Sequence, residues 1–307
     1  MNDAVSNSYL TIKQTPSTTD MVKFGELCEV KESLPLKLAD RRAINTLILS
    51  AWDGIADPDK EHRISKRELR GPKDTGSSAA RIDGMLSRLQ ACQLKMKIKR
   101  EGKTYTKSIS LLRSYAIPED GSGDILYQFE PEMVSMFKSS THWSRLERDV
   151  MLHFRSKYSL ALYELLMKRI RLKWKWQDSF NVDELRSLLG VPEGKLAAYK
   201  TFKQKVLIPA FQEVNGLSNI NCQYHEVKEG RRVANIEIAW RAKDVDGLRD
   251  SYAERKRPKL GRKARLSGAV EKVMVEKVAL LMKQQQQAEQ ERVTRPRVKT
   301  AADQLQD

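Results

Sequence analysis

The chain is poor in the residues that build metal and redox sites. Its 307 residues include three cysteines and four histidines. Cys28, Cys92 and Cys222 lie far apart, no Cys-x-x-Cys occurs, and none combines with His62, His142, His153 or His225 in a zinc-ligand spacing. Buried, reduced thiols are the expectation. There is no His-x-His pair such as a strand-nicking nuclease needs for its metal. Gly71-Pro-Lys-Asp-Thr-Gly lacks the closing lysine and hydroxyl residue of a phosphate-binding loop. Tyr224-His225-Glu226 is a lone triplet in an expected strand, where alternation sends neighbours to opposite faces. No apolar run approaches the roughly 18–20 residues that span a bilayer. The opening residues, Met1 to Ser8, have no basic stretch leading into an apolar core. These absences lead to the expectation of a cytoplasmic protein that is not an enzyme, with no cofactor, no metal and no membrane partner.

What is present is positive charge. Lysine and arginine number 56 against 40 acidic residues, a formal net charge of +16, and the sequence pI is about 9.7. Such a balance favours nucleic acid or an anionic membrane as partner. Without a spanning segment, nucleic acid is the stronger reading. The length suggests two domains with some excess chain.

The pattern along the chain repeats one plan. Met1 to about Val22 is Ser/Thr/Asn-rich and reads as a mobile arm. From Leu34, apolar residues recur at helical intervals up to Ala51. A short helix covers Ser65 to Leu69, and Ser77 can cap another, whose stripe is Ile82, Met85, Leu86 and Leu89, with Arg81 and Arg88 outside it. Leu94 to Lys99 then alternates at period two, with Met96 and Ile98 inward and the lysines outward. After a turn at Arg100 to Lys103, a strand returns over Lys107 to Leu112. The second half follows suit. Ser159 to Leu172 is a strongly apolar helix, Trp174 and Trp176 suggest a short strand, and Asn181 or Asp178 can cap a helix over Val182 to Leu189. A basic helix from about Leu196 comes next, then a hairpin from Ile220 to Trp240. Ile64-Ser-Lys-Arg-Glu-Leu-Arg parallels Val182-Asp-Glu-Leu-Arg, and both hairpin tips carry Glu-Gly followed by a basic residue. The expected fold is α+β: two tandem winged-helix domains, with an N-terminal arm (1–22), a first domain (23–142), a second (143–242) and a basic, Gln-rich tail (243–307).

The helix near Leu196 is the candidate DNA reader. Tyr199, Phe202 and Val206 fall on its core side, while Lys200, Thr201 and Gln204 lie opposite, flanked by Lys203 and Lys205. An α-helix fits the major groove, glutamine can pair with adenine at two points and lysine can donate to guanine. Gln204 is therefore the first candidate for base reading, and Lys200, Lys203 and Lys205 read bases or hold phosphates. A solvated lysine face looks the same taken alone; the hairpin behind it and the net charge favour DNA. Pro209 interrupts the helical pattern, so a bent helix ending near Asn215-Gly216 is expected. The hairpin tips, with Lys99 and Lys103 in one and Lys228, Arg231 and Arg232 in the other, are candidate wings that contact phosphate. In the first half, Ser77, Ser78 and Arg81 occupy the corresponding helix start and could meet phosphate there. The run from Arg255 to Arg265 is a further electrostatic anchor.

Ser159-Leu-Ala-Leu-Tyr-Glu-Leu-Leu, Val182-Asp-Glu-Leu-Arg-Ser-Leu-Leu-Gly, the segment Phe202 to Asn215 and the hairpin containing Lys228-Glu-Gly-Arg-Arg together resemble the bacterial plasmid replication initiators of the iteron-binding Rep family. Leu-Tyr-Glu-Leu-Leu and Val-Leu-x-Pro-Ala-x-x-Glu-Val-Asn are the specific parts, and Pro209 belongs to the second. The resemblance covers about Leu34 to Trp240 and is closer in the second half. It implies two winged-helix domains in pseudo-symmetry, the first carrying the dimer interface and DNA backbone contacts, the second reading the major groove. It further implies monomers that bind origin iterons in double-stranded plasmid DNA, help open the origin and recruit the host initiator and replicative helicase, in equilibrium with homodimers that repress the protein's own promoter. No cofactor or catalytic residue is implied. A winged-helix transcriptional regulator without a replication role is the alternative from the residues alone.

Overall fold

The computed structural model describes residues 15–268, apart from 30, 71–78, 121, 141, 171, 173 and 174; the side chains of Lys31 and of residues 96–100 also lie outside the description. The first half opens with strand β1 (Asp20–Phe24), a two-residue strand β2 (Lys31–Glu32) and helix α1 (Leu38–Ser50). Met21 and Val22 are buried in β1, so ordered structure begins inside the segment expected as an arm. In α1, Ala43, Ile44, Leu47 and Ile48 recur at helical intervals and are buried, as the periodicity requires. The buried Asp40 carboxylate accepts the Lys37 N–H at 2.8 Å in the first turn. It also accepts a two-point bond from Arg88, at 3.0 and 2.7 Å.

Strand β3 (His62–Ser65) runs into helix α2 (Lys66–Arg70), and helix α3 (Ala79–Ala91) buries the expected stripe Ile82, Met85, Leu86 and Leu89. Hairpin β4 (Gln93–Arg100) and β5 (Lys103–Ser110) follows, closed by Glu101 and Gly102. Both have positive φ, 50° and 73°, the conformation a two-residue hairpin turn of right-handed twist demands. A second hairpin, β6 (Leu112–Ala116) and β7 (Asp124–Phe129), leads to helix α4 (Pro131–Ser139) and strand β8 (Trp143–Glu147). The strands form antiparallel sheets in the orders β2-β4-β5 and β3-β7-β6, while β8 pairs with β1 so that Phe24 lies opposite Trp143. The expected inward placement of Met96 and Ile98, like the cap at Ser77, lies outside the described residues.

After the short helix α5 (Arg148–His153), helix α6 (Lys157–Arg169) is the central element of the core. Every residue from Ser159 to Met167 is buried, the mark of a helix enclosed on all sides. Each buried leucine there contributes roughly 1.5–3 kcal/mol of transfer free energy. Strand β9 (Gln177–Asn181) and helix α7 (Val182–Leu188) repeat the β3–α2 step, and the Asn181 side chain caps α7 by accepting the Asp183 N–H at 2.9 Å. Trp176, expected in a strand, stands just before β9 and is exposed, although its carbonyl still accepts the Trp240 N–H at 2.9 Å; Trp174 lies outside the description.

The basic helix begins at Tyr199, three residues later than expected. Leu196 has φ +53°, which no α-helical residue can adopt. Helix α8 (Tyr199–Phe202) passes through a π turn (Lys203–Leu207) into helix α9 (Ile208–Leu217). In the π turn the Ile208 N–H bonds the Lys203 carbonyl, five residues back. That shift places Pro209 in the first turn of α9, where a missing N–H costs nothing. The expected bend is therefore a local widening of one continuous helix. Hairpin β10 (Ile220–Glu229) and β11 (Arg232–Ala242) completes a sheet in the order β10-β11-β9.

The segment after Ala242, expected as tail, starts with an ordered helix, α10 (Val245–Lys256), packed on α9 and capped by Asp244, which accepts the Gly247 N–H at 2.9 Å. Pro258 onward is a separate compact unit. In it Arg265 donates to the carbonyls of Leu260 and Pro258, both at 2.9 Å. The amphipathic pattern of residues 269–282 and the glutamine tract lie outside the described residues.

Candidate nucleic-acid interface

The basic helix is anchored by its apolar side. Phe202, Val206, Leu207, Ala210, Phe211 and Val214 are buried, whereas Lys200, Gln204 and Lys205 are exposed and Thr201 is half-buried. Helical spacing thus turns Lys200, Gln204 and Lys205 outward as expected, while Thr201 is partly covered. Lys203 is different. Its ammonium lies 2.6 Å from Glu226 Oε1 on β10. Of the lysines expected to meet DNA from this helix, two point to solvent and one is held against the hairpin.

The wing rises beside the helix. Lys228, Glu229, Arg231 and Arg232 are exposed, and the tip turns on Gly230 and Arg231 between the paired Glu229 and Arg232. Gly230 has φ +62°, as a two-residue turn with glycine in its first central position requires. The strands beneath slip register between Val227 and Lys228, a bulge that re-aims the side chains at the tip.

Three anchors set the pose of this helix. Arg186 of α7 donates to the carbonyls of Leu196 and, at 3.0 Å, Ala197, and its guanidinium stacks 4.4 Å from the Phe202 ring centre. It thereby shapes the left-handed turn before Tyr199. Asn215 brackets the Cys222 backbone of the edge strand β10, donating at 2.8 Å and accepting at 2.7 Å. At the C-terminal end, Lys243 donates to the Asn215 carbonyl and to Ser251 Oγ at 2.5 Å, and Arg255 donates to the Leu217 carbonyl at 2.6 Å. Cations there complement the helix dipole. Burial nevertheless lowers the Lys243 ammonium to about 8.

The first half presents a different surface. Arg81 is exposed on α3 and Lys103 on the β4–β5 hairpin. The Lys99 side chain and both Ser77 and Ser78 lie outside the description. Arg88, expected to be available, is spent on Asp40. Strand β6 lies against α3, with Tyr115 donating to Asp83 at 2.9 Å and Gln90 to the Arg113 carbonyl at 2.9 Å. The three cysteines are free and buried, as the sequence implied. Burial pushes Cys28 and Cys92 up to about 11. Among the described residues, no helix is long and apolar enough to cross a membrane.

Two family models match the chain: Initiator Replication protein, WH1, over residues 21–167, and Initiator Rep protein, WH2, over residues 181–240. The chain belongs to the initiator Rep protein family. Among solved structures, the Pi initiator protein in complex with iteron DNA is similar at TM-score 0.52 and 18% identity, over 74% of this chain and 98% of that one. Domains 2 and 3 of RctB align at TM-score 0.42 and 11% identity, over 75% of this chain and 96% of that one. No curated protein matches. The fold is accordingly two tandem winged helices, as expected.

Within this initiator, the motifs that carried the resemblance turn out to be structural. In Leu-Tyr-Glu-Leu-Leu, Glu164 is 1% exposed and lies 2.9 Å from Lys23 Nζ and 3.7 Å from Arg41 Nη1, with Asn45 donating at 2.8 Å. Arg41 also meets Glu32 at 2.7 Å. Helix α6 is thereby tied to β1, β2 and α1. In Glu-Val-Asn, Glu213 accepts the Arg155 and Ser156 N–H groups at the start of α6, Val214 is buried, and Asn215 holds β10. Gly190, with φ +74°, comes so close to Arg41 that a Cβ would sit 2.7 Å from Nη2. Sequence reasoning missed these residues, and Arg186, as builders of the site. The available signal was their place inside otherwise apolar runs.

Proposed function

We propose that this initiator binds repeated sites in duplex origin DNA through the α8–α9 helix and the β10–β11 wing. The observation that carries the reading is the exposed row Lys200, Gln204 and Lys205 beside a basic two-residue hairpin tip, on a helix fixed from three sides. Gln204 and Lys200 reach base edges in the major groove. Lys228, Arg231 and Arg232 hold phosphate, as does Lys205. The Pi initiator, which shares the fold, was crystallised with iteron DNA, and that supports iterons as the sites. The first winged helix positions the protein on the backbone through Arg81, Lys99, Lys103 and the stretch around Ser77 and Ser78, and provides the surface for a homodimer that represses the protein's own promoter. Occupied repeats open the adjoining duplex and bring in the host initiator and replicative helicase, in the cytoplasm.

Footprinting on the DNA around the gene tests the binding reading, with regularly spaced protected repeats expected. A plasmid carrying an early stop codon in the gene tests the replication reading. If it is still maintained, the protein is a winged-helix regulator and not an initiator.

A further inference from the structure

The three lysines of the recognition helix are not equivalent. Lys200 and Lys205 are exposed, but Lys203 meets Glu226 at 2.6 Å, with side-chain exposures of 38% and 21%. A lone surface pair would be easily exchanged for a phosphate. Glu226 is held more firmly than that. It lies in β10, opposite Ile236 of β11 and next to the bulge at Val227. Burial, together with the Glu226 carboxylate, pushes the Tyr199 hydroxyl at the helix start up. The neighbouring Tyr224 ring on the same strand packs 4.8 Å from Phe211 of α9. Burial acts to raise the Glu226 carboxyl, yet Lys203 and Tyr199 outweigh it and leave it lowered. If Lys203 swung out to a phosphate, a half-buried carboxylate would be left facing DNA with its cation gone.

We propose that Glu226 is a positioning residue that withholds Lys203 from DNA phosphates, so that the recognition helix engages DNA through Lys200, Gln204 and Lys205 only. The inference rests on the DNA-binding reading above. A lysine already neutralised by a fixed carboxylate displaces no counterions from DNA. The pair also restrains sequence-independent affinity, because each extra phosphate contact strengthens binding to any duplex alike.

The test measures binding of the full chain to a repeat-containing duplex and to a random duplex, by anisotropy between about 0.05 and 0.3 M salt. Glu226→Gln keeps the shape of the side chain and removes its charge. It is expected to steepen the slope of log K against log salt by about 0.9 and to tighten random-duplex binding about eightfold at 0.1 M. Lys203→Gln alone bares the Glu226 carboxylate and should weaken both duplexes, whereas the double variant, which removes both charges, should keep the wild-type slope. The inference is overturned if the double variant's slope is shallower by about 0.9, since Lys203 would then already be on a phosphate. An unchanged slope in Glu226→Gln overturns it too. Should Glu226→Gln fail to fold, the double variant still decides. A wild-type protein that prefers no repeat and shows no salt dependence sinks the DNA-binding reading itself, which separates the two failures.

Discussion

The two halves use one order of elements and put it to different ends. Each has a strand, a short helix, a longer helix and a hairpin: β3, α2, α3, β4–β5 in the first and β9, α7, α8–α9, β10–β11 in the second. In the second half the short strand joins the sheet of its own wing, with β9 on β11. In the first half β3 pairs instead with β7, in a sheet with β6 that is separate from the sheet of the wing. The consequence falls on the longer helix. On α3 the hairpin supplies Tyr115 to Asp83, and Arg88 is drawn to the buried Asp40. On α8–α9 the corresponding face stays open. One winged-helix order thus carries two unlike helix faces: α3 is partly covered and its Arg88 paired, whereas the second-half helix shows Lys200, Gln204 and Lys205 to solvent.

The largest effect is expected at the buried cluster on α6, which lies within the first family match. Glu164→Ala would leave Lys23 buried without its acceptor and Arg41 with Glu32 alone. A loss of about 3–5 kcal/mol is expected from stranding a buried charge partner, read as a fall in the urea midpoint of unfolding. Glu164→Gln, which keeps the bond from Asn45, should lose less. If the alanine variant unfolds at the wild-type midpoint, the fold does not depend on this cluster.

Next in size is base discrimination. Gln204→Ala should reduce preference for the repeat over a mismatched site by about 1–3 kcal/mol, measured by competition binding. Arg81→Ala, its counterpart in the first half, should leave that preference unchanged. Equal losses would show that both helices read bases and would erase the distinction between them.

The wings sharpen the contrast further. Lys228→Ala is expected to weaken repeat and random duplexes alike, with a salt slope shallower by about 0.9. Lys103→Ala on the first hairpin makes the same kind of change if the first half also rests on the backbone. A slope that moves only for Lys228 would confine DNA contact to the second half.

A last expected effect concerns a second-half lysine used inside the fold. Burial sets Lys243 at about 8, below its ordinary 10.5. Between those values the unfolded chain binds more protons than the folded one, so stability rises with pH from about 8 to about 10.5. The gain over that range is at most about 3 kcal/mol. Denaturant titrations at a series of pH values should show it in the wild type and lose it in Lys243→Met.

Much of the fold was legible because its signals are local. Ile82, Met85, Leu86 and Leu89 announced α3 by spacing, Asn181 announced the start of α7, and the two Glu-Gly pairs announced the hairpin tips. Pro209 announced an interruption, although only the hydrogen-bond pattern showed it to be a π turn. The start at Leu196 was placed too early because apolar spacing does not reveal a left-handed residue, and α10, which packs on α9, has no apolar stripe of its own to announce it.

By itself the sequence determined the helix-and-hairpin plan repeated in each half, the outward placement of Lys200, Gln204 and Lys205, and a basic surface suited to DNA. Period, cap and turn chemistry act over a few residues, so they can be read in line. Only the tertiary structure decided which charges are available. Arg88 meets Asp40 across 48 residues, and Asn45 meets Glu164 across 119. Lys203 finds Glu226 only once the hairpin folds back on the helix. Such pairs depend on side chains brought together by packing of distant elements, and no local pattern in the chain encodes that distance.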